Sequence, residues 1–107
     1  MTRLFFALIL ICLATTASAG TDGNVVDVSI KDFKFNPQTV TVKVGTTVRW
    51  LNEEKRQYHS VWFEEAGDPE ADYFFPEEST ERTFDKPGTY HYRCGPHEEM
   101  TGVIIVE

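Results

Sequence analysis

The chain has 107 residues, enough for one domain, and carries 10 Lys and Arg against 17 Asp and Glu, a net charge of −7. An acidic balance of this size excludes a nucleic-acid binder or a protein held to anionic lipid by charge, since both classes need basic surfaces. It favours solubility and a basic partner.

The first segment reads as a leader rather than as part of the fold. Met1-Thr2-Arg3 is short and basic, Leu4 to Ala14 is an apolar run of eleven residues, and Ala17-Ser18-Ala19 has the small-x-small pattern of a cleavage site. The run is shorter than the roughly 20 apolar residues a transmembrane helix needs. We therefore expect a signal peptide over residues 1–19 and one domain over residues 20–107. Cys12 leaves with the leader, so the mature chain keeps only Cys94 and has nine basic against seventeen acidic residues, a net charge of −8. A lone thiol in an oxidising compartment is exposed to oxidation unless something protects it, and metal ligation is one such protection.

Beyond residue 20 the pattern has a period of two, not 3.6. Val26, Val28 and Ile30 alternate with Asp27, Ser29 and Lys31, and Val40, Val42 and Val44 alternate with Thr39, Thr41 and Lys43. Val48 and Trp50 resume the pattern after a turn at Gly45. Tyr90, Tyr92 and Cys94 alternate with His91 and Arg93, and Val103-Ile104-Ile105-Val106 closes the chain as a strand with apolar residues on both faces. Asn36-Pro37, Gly67-Asp68-Pro69, Lys86-Pro87-Gly88 and Gly95-Pro96 are turn signals. Short strands at this spacing predict an all-β sandwich or barrel. The least regular stretch, Glu64 to Pro76, is expected to hold a short helix or a long loop. Eight carboxylates and no Lys or Arg lie between Glu64 and Glu81, which reads either as a solvated loop or as a docking surface.

Chemistry concentrates where the Tyr90–Cys94 strand ends. Cys94 shares its face with Tyr90 and Tyr92, so its thiol points into the sandwich near one end. The loop that follows, Cys94-Gly95-Pro96-His97-Glu98-Glu99-Met100, places a thiolate, an imidazole and a thioether in C-x2-H-x2-M spacing. A second imidazole is needed from elsewhere. His91 lies in the opposite register and faces away from the thiol, which leaves His59. A thiolate and two imidazoles with an axial thioether are the ligand set of mononuclear blue-copper sites. Zinc sites prefer further cysteines and histidines and do not use thioether. Cys-His nucleophilic catalysis would need an oxyanion apparatus for which the loop offers no residues.

The chain resembles the cupredoxins of the plastocyanin, pseudoazurin and amicyanin group. The resemblance runs through DFKFNPQTVTVKVGTTVRWLN, GTYHYRC, CGPHEEM and the closing TGVIIVE, and the short spacing between His97 and Met100 is similar to that of amicyanin. It implies a Greek-key β-sandwich, one type 1 copper ion on His59, Cys94, His97 and Met100, and single-electron shuttling between larger redox proteins in the periplasm, without enzymatic activity. The implied partners are a c-type cytochrome, a dehydrogenase or a reductase, met by a monomer. His97, in the loop, is the expected electron port, and the backbone N–H of Ser60 is a candidate donor to the thiolate, whereas Pro96 has no N–H to give. Two positions depart from the family pattern: Ser60 stands where relatives often carry Asn, and Glu98 and Glu99 stand where short-loop relatives carry apolar residues. The competing function is copper storage or delivery, against which the single Met100 and the strand-anchored Cys94 both speak.

Overall fold

The computed structural model describes residues 24–107, so the proposed leader lies outside the described residues. Among those residues no helix is long and apolar enough to cross a membrane. The backbone forms seven strands: β1 (Val25–Lys31), β2 (Lys34–Asn36), β3 (Thr39–Val42), β4 (Thr46–Asn52), β5 (Ser79–Phe84), β6 (Gly88–Arg93) and β7 (Thr101–Val106). They make two sheets, one ordered β2-β1-β4-β5 and the other β3-β7-β6. The β1–β4 and β3–β7 pairings are parallel and the others antiparallel. Of the all-β sandwich and barrel that the period-two pattern leaves open, two separate sheets make it the sandwich.

Burial follows the alternation. Val28 and Ile30 of β1, Val40 and Val42 of β3, Val48 and Trp50 of β4, Tyr92 of β6, and Ile104 and Val106 of β7 turn inward to one core. Trp50 is 1% exposed and meets the rings of Tyr92 and Phe63 edge-on, with centroids 5.4 and 6.1 Å apart. The closing strand is apolar on both faces because β7 is the middle strand of its sheet: Ile104 and Val106 are buried, while Val103 and Ile105 are half-buried on the outer face. The phenol of Tyr92 crosses directly over Gly102, its partner in register, where an added Cβ would sit 2.3 Å from the ring. A side chain at position 102 would therefore displace the aromatic core.

One expectation stops short. The Val40–Val44 alternation continues in sequence, but β3 ends at Val42 and Val44 is 46% exposed. Gly45, with φ +94°, turns the chain there, and Val44 N–H donates to the carbonyl of Glu107 instead of extending the inner face.

Two irregular segments emerge at the same end of the sandwich. One is the connection from β4 to β5, residues 53–78, and the other is the loop from β6 to β7, residues 94–100. The former contains only a single 3-10 turn, Glu64–Ala66, so of the two expectations for this stretch the long loop dominates.

Candidate metal centre

The connection is shaped by a residue at the end of β4. Asn52 is 1% exposed, and its side-chain amide donates to the carbonyls of Gln57 (2.9 Å) and Phe74 (3.2 Å) while its carbonyl oxygen accepts the N–H of Glu54 (3.0 Å). Phe74 also exchanges two backbone hydrogen bonds with His59, at 3.1 and 2.8 Å. His59 is thereby held by a one-residue bridge rather than by a regular strand.

The imidazole of His59 is fully buried, and its Nε2–H donates to Glu54 Oε2 at 3.1 Å. That bond fixes the tautomer, because a carboxylate only accepts. Nδ1 is left with a free lone pair, and it faces Cys94 Sγ at 3.5 Å. Burial pushes the imidazole below its ordinary value, against the opposing effect of Glu54, so the ring is neutral at pH 7. Burial alone would raise the Glu54 carboxyl, but the N–H of Phe33 (2.8 Å) and the His59 ring hold it below the usual carboxylate range.

Phe33 reaches that position from the turn between β1 and β2, where Asp32 and Phe33 both adopt positive φ, +54° and +57°. A bulky residue in the left-handed region costs about 1–2 kcal/mol. The strained turn brings the Phe33 N–H to Glu54 and sets the Phe33 ring edge-on to both His97 and His59, with centroids 4.9 and 5.7 Å apart.

From the other sheet, Cys94 follows the last residue of β6 with its thiol fully buried. Ser60 N–H points at Sγ, 3.4 Å away, and His97 Nδ1 lies 3.5 Å from the same sulfur. Burial pushes the thiol up, opposed by the backbone N–H groups of Ser60 and His97 and by the charge of Arg93. A metal ion entering the site would therefore have to displace a proton. Two backbone bonds of 3.0 Å, Cys94 N–H to Met100 O and Met100 N–H to His97 O, fold the loop back so that Met100 returns to the core at 2% exposure. His91 is exposed on the opposite side of β6.

Ser60 joins the segments that carry His59 and Cys94. Its hydroxyl accepts the Gly95 N–H at 2.8 Å while its own N–H serves the sulfur, so the serine links the two loops. Gly95 is packed closely from this side: a Cβ there would lie 2.3 Å from a Glu70 carboxylate oxygen and 2.9 Å from Ser60 Oγ.

His59 Nδ1, Cys94 Sγ and His97 Nδ1 thus converge, and one donor atom from each residue lies within 4.8 Å of the others. Two imidazoles and a buried soft sulfur suit copper: the imidazoles accept either oxidation state and the sulfur favours Cu(I).

Around the half-buried His97 lies a set of exposed aromatic rings that period-two reading could not find. Tyr58 stacks on Tyr73 at 5.1 Å, meets Phe75 edge-on at 5.8 Å and lies 6.3 Å from the His97 ring, and Phe33 completes the collar. These residues sit in a turn and in an irregular connection, where no alternation marks them. The eight carboxylates of the acidic run have three uses: Glu64 pairs with Arg93 and Asp68 with Arg82, Glu70 accepts the Tyr73 hydroxyl and Glu78 the Phe75 N–H, and Glu65, Asp72, Glu77 and Glu81 are exposed to solvent.

Residues 23–107 match the family model of copper-binding proteins, plastocyanin/azurin family. The chain is 36% identical over 85 residues to amicyanin-alpha of Methylorubrum extorquens, covering 76% of this chain and 71% of that one. It is 39% identical over 90 residues to amicyanin of Paracoccus denitrificans, covering 80% and 67%. The crystal structure of amicyanin from Paracoccus versutus superposes with a TM-score of 0.70 at 31% identity, covering 85% of this chain and 89% of that one.

Proposed function

The chain belongs to the copper-binding plastocyanin/azurin family, as a blue-copper cupredoxin of the amicyanin and plastocyanin group, and from that premise we propose that it is a single-electron carrier whose one copper ion is bound by His59, Cys94, His97 and Met100. The observation that carries this reading is the convergence of the two Nδ1 atoms on Cys94 Sγ, all within 4.8 Å. Bound there, copper supplies a one-electron couple between Cu(I) and Cu(II).

The protein's part is to hold the donors still. Glu54 and Phe33 orient His59, Ser60 ties its segment to the Cys94 loop, and two backbone bonds return Met100 to the core. Donors that do not move when the charge on the metal changes oppose electron transfer least. His97 is the port, because it alone of the three converging residues is not fully enclosed, and the aromatic collar around it gives a partner an apolar landing. The enclosed Cys94 and Met100 argue against a site built to hand copper on. Export through the leader at residues 1–19 to the periplasm, and exchange with a c-type cytochrome, a dehydrogenase or a reductase, complete the proposal. A basic partner suits the net charge of −8 on residues 20–107, and the molecule acts as a carrier rather than an enzyme.

Addition of Cu(II) to residues 20–107 is expected to give an intense band near ~600 nm and an EPR spectrum with narrow copper hyperfine splitting. A colourless protein with an ordinary tetragonal copper signal would refute the ligand set. Glu54→Ala frees the His59 ring from the carboxylate that accepts its Nε2–H, and copper affinity is expected to fall about 10–100-fold. Competition titration against a chelator checks this, and an unchanged affinity would remove Glu54 from the account.

A further inference from the structure

The alternation along β6 sends Arg93 to the face opposite Cys94, yet its side chain is only 22% exposed. Rather than running into solvent, the guanidinium folds along the start of the ligand loop. Its Nε donates to the carbonyl of Cys94 at 3.2 Å and its Nη2 to the carbonyl of Gly95 at 2.9 Å. Nη1 lies 3.3 Å from Glu64 Oε1 and 3.9 Å from Glu98 Oε2. The flat face of the group lies 4.9 Å from the ring of Trp62, and the indole N–H of Trp62 is fixed on the carbonyl of Asp68 at 2.8 Å. Beneath this stack the backbones of Trp62 and Arg93 exchange two hydrogen bonds, at 2.8 and 3.0 Å.

One cation therefore joins three pieces of chain: the segment that carries His59 and continues to Trp62, the 3-10 turn at Glu64, and the loop that carries Cys94 and His97. The fork geometry of arginine matches two carbonyls on one edge and a carboxylate on another, which an ammonium does not. Its charge is also offset from both sides, by Glu64 and by Glu98, so removing it leaves those carboxylates without their partner.

We propose that Arg93 is a positioning residue for the copper site, stapling the Cys94–Met100 loop to the Trp62 segment and holding the reduction potential up by the positive charge it keeps beside the Cys94 peptide. The effect on potential rests on the copper reading above, whereas the staple does not. The sign follows from the charge. Cu(I) carries less positive charge than Cu(II), so a neighbouring cation favours the reduced ion and its loss favours the oxidised one.

The test is a pair of variants, Arg93→Met and Arg93→Lys, each read twice. In the copper-free protein, amide hydrogen exchange is followed at Cys94, Gly95 and Met100, whose N–H groups are bonded to Met100 O, Ser60 Oγ and His97 O. In Arg93→Met these amides are expected to exchange roughly ten times faster while those of β1 and β4 keep their rates, because local opening of the loop is freed without global unfolding. Arg93→Lys, lacking the fork, is expected to show the same fast loop. In the copper-loaded protein, Arg93→Met is expected to shift the balance toward Cu(II) by up to about tenfold, a fall in potential of up to about 59 mV for a one-electron couple. Arg93→Lys, keeping the charge, is expected to recover most of that shift. Unchanged loop exchange in both variants, or acceleration spread evenly over all strands, would overturn the staple. An unchanged potential in Arg93→Met would overturn the electrostatic role. Loss of the blue site in the wild-type protein would remove the copper reading and leave the exchange result to decide the staple.

Discussion

Serine in place of Cys94 is expected to abolish the intense visible absorption of the copper-loaded protein and to lower copper affinity by more than about 100-fold, since losing a supporting group outside the ligand set alone costs 10–100-fold. The reason lies in the other donors. The sulfur is the point on which His59 Nδ1 and His97 Nδ1 converge, each at 3.5 Å, and it receives the Ser60 N–H. Serine is nearly isosteric and still hydrogen-bonds Ser60, so the fold and both imidazoles stay in place, but a hydroxyl is a hard, weakly acidic donor without the polarisable thiolate that the colour requires. Optical titration with Cu(II), with circular dichroism to verify the fold, checks this. A variant that stays blue would exclude Cys94 as a ligand.

Trp50→Ala is expected to destabilise the copper-free protein by about 3–5 kcal/mol. Trp50 is 1% exposed at the centre of β4, parallel to β1 and antiparallel to β5, and its ring packs on Tyr92 from the facing sheet. Removing it empties the space between the sheets, and neighbours fixed in two ladders can close only part of the cavity. For a domain of this size the loss corresponds to a fall in Tm on the order of 15–30 °C. It is a large fraction of the 5–15 kcal/mol that holds a small domain folded. Denaturant unfolding of the copper-free protein measures it without the added stability that a bound metal brings. A change below about 1 kcal/mol would mean that the core collapses around the gap far better than cavity energetics allow.

The regular half of the molecule was legible because strands write their burial into the sequence. Val28, Ile30, Val48, Trp50 and Tyr92 are each found inside at the positions that alternation assigns them. The cluster at the end of β6 was legible for a different reason: Cys94 and His97 stand three residues apart just past a strand, and Sγ and Nδ1 meet at 3.5 Å. What the sequence hides lies in residues 53–78 and in the Asp32–Phe33 turn. In the string Glu53-Glu54-Lys55-Arg56 every residue reads as solvated surface, yet Glu54 turns in to His59 while its neighbours stay out. Asn52 ends a strand like any polar residue and still organises the whole connection through three side-chain hydrogen bonds. Phe33, Tyr58, Tyr73 and Phe75 form one collar only because separate loops meet over His97, a long-range coincidence without periodic signature. The collar also changes the expected surface: Glu98 and Glu99 are exposed on the loop, but the apolar ground beside His97 comes from other segments.

An electron-carrying site cycles one electron while keeping its metal. Stepwise reduction and reoxidation of the copper-loaded protein, followed at its visible band in the presence of a Cu(I) chelator, tests this most directly. The band is expected to bleach with one electron per protein, to return in full on reoxidation, and to leave the chelator empty. Copper appearing in the chelator on reduction, with no colour regained, would contradict it and assign the site to copper delivery.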